Sequence, residues 1–164
     1  MIVRLEWPEV MSAAIIGVLR QVASLNKGRS IKRALINRHA AGDENQWDRH
    51  CLGAIGECAF AKWNGVYWSR DVNTFKDVAD VGEYEVRTRA KSHWDLIIRS
   101  DDPPERFYVL VTTAPEMPVF KVHGYILGAD AQRDEFKQNY GGHGEAWFVP
   151  QKELLEIEPN KQPN

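Results

Sequence analysis

The segment DVADVGEYEVRTRAK, Asp77–Lys91, decides how this chain is read. It opens on aspartates and a glycine turn, and from Tyr84 it alternates with a period of two. Tyr84, Val86, Thr88 and Ala90 fall on one side; Glu85, Arg87, Arg89 and Lys91 fall on the other. Successive strand side chains point to opposite faces, so the spacing predicts a strand with one acid and three cations in a row. Taken alone, such a row is an ordinary solvated face, whose cross-strand ion pairs contribute little.

The residues upstream give the row a second meaning. Asp43, with Gln46 three positions on, forms a capping-box pattern, and the spacing predicts a helix from there to about Trp63, closed by Asn64-Gly65. Its expected core stripe is Trp47, Cys51, Ala54, Ile55, Cys58 and Ala59, and Glu57 falls where the polar face closes. Gly53 and Gly56 would let this helix approach a sheet closely. Further upstream, Trp7-Pro8-Glu9 starts a helix whose stripe of Val10, Ala14, Ile15, Val18, Val22 and Leu25 runs to Asn26. A short helical piece is expected over Ser30–His39.

Downstream the pattern changes to strands, expected at 66–69, 83–90, 95–100, 106–113, 120–127 and 146–150, with a tight hairpin connection at Asp101-Asp102-Pro103-Pro104. A helix is expected over 130–140, stopped by Gly141-Gly142. The fold class is therefore α/β of an α+β-like kind. N-terminal helices precede a central mixed, largely antiparallel sheet, a meander flanked by helices. One domain spans 1–158, with a basic helical part at 1–41 and a core at 44–150; residues 159–164 are a polar tail.

Composition narrows the function. The chain has 164 residues, 43% hydrophobic and 27% charged, enough for one domain with its own core. The longest apolar run, Met11–Leu19, is too short to span a bilayer and has no signal-peptide flanks. Cys51 and Cys58 would lie about 10 Å apart on a helix, which excludes a disulfide, and two cysteines cannot make a cysteine-type zinc site. These features point to a cytoplasmic protein without a membrane partner. Net charge is −2, but residues 1–41 hold seven Lys/Arg against two Glu, concentrated in Asn26–Arg33. That run reads either as a solvated face or as an arm for phosphates. The five histidines show no HxxxH or HxH spacing, and His123 reads as structural. No glycine-rich phosphate loop is present, so no nucleotide cofactor is expected.

Carboxylates beside a cation suit a hard divalent ion and a phosphodiester, since Mg²⁺ takes oxygen ligands and a cation can stabilise charge developing on phosphorus. Glu85 and Arg87 share a strand face, and Asp80 can fold back beside Glu85 if 81–84 bend. The ordered set of helix Glu57, turn Asp80 and strand Glu85-x-Arg87 resembles the active-site motif of the PD-(D/E)XK, or restriction-endonuclease-like, nucleases. Over about residues 44–150 the chain also resembles small uncharacterised bacteriophage proteins of that superfamily.

The resemblance implies a metal-dependent DNA endo- or exonuclease. Asp80 and Glu85 would bind Mg²⁺ (or Mn²⁺), Glu57 would bind directly or through water, and Arg87 would sit at the scissile phosphate. Arg89, Lys91, Lys27, Arg29, Lys32 and Arg33 would contact flanking phosphates. Two departures stand out. Arg87 replaces the customary Lys and does not release a proton. The Asp80–Glu85 spacing is short, which makes Asp77 and Asp71 rival ligands. The alternatives are an inactive nuclease-fold protein that binds nucleic acid or a host protein, or a small assembly factor. A homodimer is a candidate state for any of the three.

Overall fold

A computed structural model of the chain describes residues 1–26, 45–72, 78–139 and 145–160. The expected helix at 30–39, the Asp43 cap, Asp77 and the basic residues Lys27, Arg29, Lys32 and Arg33 lie outside them.

The elements are β1 (Ile2–Arg4), α1 (Trp7–Asn26), α2 (Asn45–Asn64), β2 (Tyr84–Arg89), β3 (Leu96–Arg99), β4 (Phe107–Thr113), β5 (Val119–Leu127), a short α3 (Gly128–Ala131), β6 (Lys137–Asn139) and β7 (Glu145–Val149). The fold is mixed α and β, with largely antiparallel strands in two sheets of order β1-β5-β4-β2 and β3-β7-β6. The exception to antiparallel pairing is β2 with β4, which run parallel.

The layering follows from the sequence pattern. β4 reads FYVLV, a continuous apolar run of the kind buried on both faces. Val109 and Val111 join Tyr84, Val86, Phe60 and Ala59 in a core beneath α2, and Tyr108 and Leu110 join Leu96, Ile98 and Val149 in a core between the sheets. α2 therefore lies on the first sheet, the second sheet covers that sheet's other face, and α1 packs on the outside of α2.

Small residues set these distances. A Cβ on Gly56 would overlap the Thr88 side chain of β2, and one on Gly17 would overlap the Cys51 backbone of α2. Around Gly53 there is open space, so of the two α2 glycines only Gly56 serves the approach to the sheet. Backbone yields less readily than a side chain. Gly17→Ala should therefore lower stability by about 1–3 kcal/mol, despite alanine's better helix propensity. Urea unfolding of the variant checks this, and an unchanged or raised midpoint would show that α1 can move off α2.

Several expectations need correction. β2, β3 and β4 do not form a meander. β3 belongs to the second sheet, and the chain returns through the Asp101–Pro104 turn to lay β4 parallel to β2. That turn thus joins strands of different sheets instead of closing a hairpin. Residues 66–69 are not a strand. The helix expected at 130–140 is replaced by the end of α3, a 3-10 turn at Asp134–Phe136 and β6. Trp47 is exposed, and so are Ile15, Val18, Val22 and Leu25 of the α1 stripe. The residues of α1 that are buried are Ala13, Gly17 and Gln21. β1 carried no signal in the sequence reading; it is held by pairing with β5.

Candidate functional site

The site forms around β2, the last strand of the first sheet among the described residues. In the turn before the strand, Gly82 has φ +60°, and Val81 and Tyr84 exchange both backbone hydrogen bonds. This tight reversal brings Asp80 back along the edge, where its Oδ2 accepts the Val86 N–H at 2.8 Å. The fold-back anticipated for 81–84 is therefore present. Burial raises the Asp80 pKa against the opposing pull of the Val86 N–H, Arg87, Arg20 and the neighbouring Glu85 carboxyl.

Glu85 is 9% exposed, so the alternating row is no simple solvated face. Its pKa is pushed up to about 7, first by burial and then by the Asp80 charge, against Arg87 and Arg106. The Arg106 Nη1 lies 3.6 Å from Glu85 Oε1. Arg87 donates from Nη2 to Asp102 Oδ1 at 2.9 Å and lies over the Tyr108 ring. Asp102 is fixed in turn, since its Oδ2 accepts the Arg99 N–H at 2.9 Å.

Glu57 comes from α2, buried to 4% exposure. Arg20 of α1 donates to both of its oxygens, Nη1 to Oε1 at 2.5 Å and Nη2 to Oε2 at 2.8 Å. Trp68 Nε1 donates to Oε2 at 3.0 Å. Burial, and then the Asp80 charge, push the Glu57 pKa up to about 7, against Arg20 and Trp68. Glu57 is thus a buried acid near Asp80 with both oxygens already engaged. Among the described residues, no three His, Cys, Asp or Glu side chains are placed to hold a metal ion together. The oxygen pair that could face a divalent cation is Asp80 with Glu85, and Mg²⁺ commonly takes one or two carboxylates, keeping water and substrate oxygens for the rest. Glu57, with both oxygens engaged by Arg20 and Trp68, does not fit as a direct ligand.

The other candidates have separate partners, although Asp71 adjoins the site through Arg20. The Asp71 carbonyl accepts Arg20 Nε at 2.9 Å, which ties its backbone to the guanidinium. Arg89 and Lys91 both lie over the Trp94 ring, at 4.6 and 5.1 Å from its centroid. Thr88 packs against α2, as its strand parity implied. His123 lies 2.9 Å from Thr112 Oγ1 and its pKa is lowered to about 4, mainly by burial, in keeping with a structural role.

Sequence reasoning missed Arg20, Trp68, Asp102 and Arg106. Arg20 had a signal, being one of two charged residues in a long apolar helix. Asp102 lay in a segment read only as a turn, and Trp68 and Arg106 carried no pattern.

The acid cluster has a consequence for pH. The folded pKa values of Glu57 and Glu85 are raised to about 7 from 4.5, so the native state keeps protons that the unfolded chain has released. Their stabilising contribution is full below about pH 4.5 and is lost as pH rises through 7. Relative to a Glu57→Gln/Glu85→Gln variant, the metal-free wild type should lose on the order of 1–3 kcal/mol across that window. Urea titrations of both proteins at several pH values measure it; parallel curves would refute it.

No protein-family model, curated protein or solved structure matches this chain.

Proposed function

We propose that this chain is a divalent-metal-dependent nuclease that hydrolyses phosphodiester bonds in DNA. One observation carries the reading: the reversal at Gly82 turns the Asp80 carboxyl onto the Val86 N–H, next to buried Glu85 on β2, with Arg87 held by Asp102. Burying two carboxyl groups together is costly unless a proton or a cation sits between them.

Asp80 and Glu85 would hold Mg²⁺ or Mn²⁺, which when bound supplies a water of lowered pKa and neutralises phosphate charge. Binding there requires both carboxyls to be ionised, and burial raises the pKa of each, so occupancy rises with pH. Arg87 offers a planar donor fork to a phosphate oxygen and cannot serve as a base. Asp102 keeps that fork aimed, and the aromatic face of Tyr108 backs it. Arg20 holds Glu57 and lends positive potential to the Asp80 side. Arg89, at the end of β2, and Lys91, two residues beyond it, would extend the cationic track to neighbouring phosphates.

The test is incubation of the full chain with linear and circular DNA, with Mg²⁺ or Mn²⁺ and with chelator. Metal-dependent cutting supports the reading; absence of cutting with either ion sinks it.

A second reading is a non-catalytic binding protein on the same scaffold. It is favoured by the pairing of Arg87 with Asp102 and of Arg20 with Glu57, which leaves both guanidiniums already neutralised. It predicts salt-sensitive DNA retention or host-protein binding without cleavage. Calorimetry with Mn²⁺ separates ion binding from turnover.

A further inference from the structure

We propose that the outward face of α1 seats a second copy of this chain, the two α1 helices pairing across a two-fold axis. In α1 every exposed residue from Met11 to Leu25 is apolar: Met11, Ile15, Val18, Leu19, Val22 and Leu25, each between 40% and 65% exposed. Trp7, at 60% exposure, extends the face by one turn. A surface helix ordinarily turns charged or polar residues to water; a helix apolar on both faces is normally covered on both. The inner face of α1 is covered by α2.

The pattern of the outer face identifies its occupant. Met11, Ile15, Val18, Val22 and Leu25 follow one another at steps of four, three, four and three residues. That is the a/d spacing of a helix seam, in which each side chain enters a hole on a facing helix with the same repeat. A second α1 supplies that repeat by symmetry, and two-fold pairing of one patch with itself is the commonest closed arrangement.

Charge is absent from the face for a definite reason. α1 has two charged residues; Glu9 is turned to Lys62 of α2 at 2.7 Å, and Arg20 to Glu57. Self-pairing therefore meets no like-charge repulsion. The same fact disfavours a lipid surface, where an interfacial helix carries Lys and Arg along its polar side.

The size is adequate. With these fractional exposures the seven side chains present roughly 600–700 Å² per copy, approaching the ~800 Å² per partner of a standard interface. It also exceeds what a monomer commonly leaves in one apolar patch. The inference does not depend on whether the acid site cuts DNA.

Sedimentation equilibrium of the full chain tests it. The wild type should run at twice its 18.8 kDa mass at micromolar concentration. Ile15→Glu/Val22→Glu places two charges on exposed seam positions and should run at the single-chain mass with an unchanged circular dichroism spectrum. Met11→Gln/Leu25→Gln, which trims the seam ends with neutral side chains, should weaken dimerisation by roughly tenfold or more. A wild type at single-chain mass overturns the proposal, including one that instead binds anionic vesicles. So does a dimer that all these substitutions leave intact, since it would use another face.

Discussion

Glu85→Gln should reduce metal-dependent DNA cleavage by about 10³-fold or more while leaving the protein folded, given that losing even one preorganised hydrogen-bond donor in an active site costs about 10²–10³. The amide keeps the shape of the carboxyl, but it cannot bring the second negative oxygen that a divalent cation needs. Stability should hold or improve at pH 8, because the ionised form of Glu85 is the one that burial and the Asp80 charge oppose. The two readouts must part company: cleavage lost, melting temperature kept. A Glu85→Gln protein that cuts at the wild-type rate would remove Glu85, and with it the proposed pair, from the mechanism. A variant that fails to fold would show that the carboxyl is structural, and the non-catalytic reading would gain.

Arg20→Met should destabilise the protein by about 3–5 kcal/mol at pH 8, the cost of leaving a buried carboxylate without its partner. For a chain of this size that corresponds to a fall in melting temperature on the order of 10 °C. Glu57 would retain only the Trp68 donor and the unfavourable neighbour Asp80. The loss should shrink toward pH 5, where Glu57 is protonated in the native state and no longer needs the guanidinium. Adding Glu57→Gln to Arg20→Met should restore much of the stability, because the pair is removed together instead of broken. Differential scanning calorimetry at the two pH values decides it. A single variant that melts with the wild type at pH 8 would mean that Glu57 is neutral there or reaches solvent.

The sequence exposed the parts of the site whose placement depends on local rules. Strand parity put Glu85 and Arg87 on one face and Thr88 on the other. The glycine at 82 marked the reversal that returns Asp80 to the strand. Helix periodicity placed Glu57 at the border of the polar face, and Gly56 marked the contact with β2. What was not legible was who meets these groups. Arg20 is thirty-seven residues from Glu57, and no local period encodes that pairing. Asp102 looked like a turn former because Asp before Pro commonly is one; its carboxyl is aimed at Arg87 by the path of the chain between two sheets.

The same division applies to α1. Periodicity found an apolar stripe but not which way it faces. The helix is apolar nearly all round, so the stripe alone could not tell which side packs; Gly17, against the α2 backbone, decided it. The parallel pairing of β2 with β4 was hidden for a related reason. Strand patterns report which face is buried, whereas pairing order depends on where the connection travels.

By itself, then, the sequence determined α1, α2 and the strands β2, β3, β4, β5 and β7 as elements, the apolar run of β4, and the three acids that mark the candidate site. Those follow from periodicity, turn chemistry and composition, all of which act over a few residues. The tertiary structure alone decided that Glu57 is held by Arg20, that Arg87 is held by Asp102, and that an apolar helix face is left looking outward. Each of these depends on burial and on contacts between distant segments, and these exist only once the chain has packed.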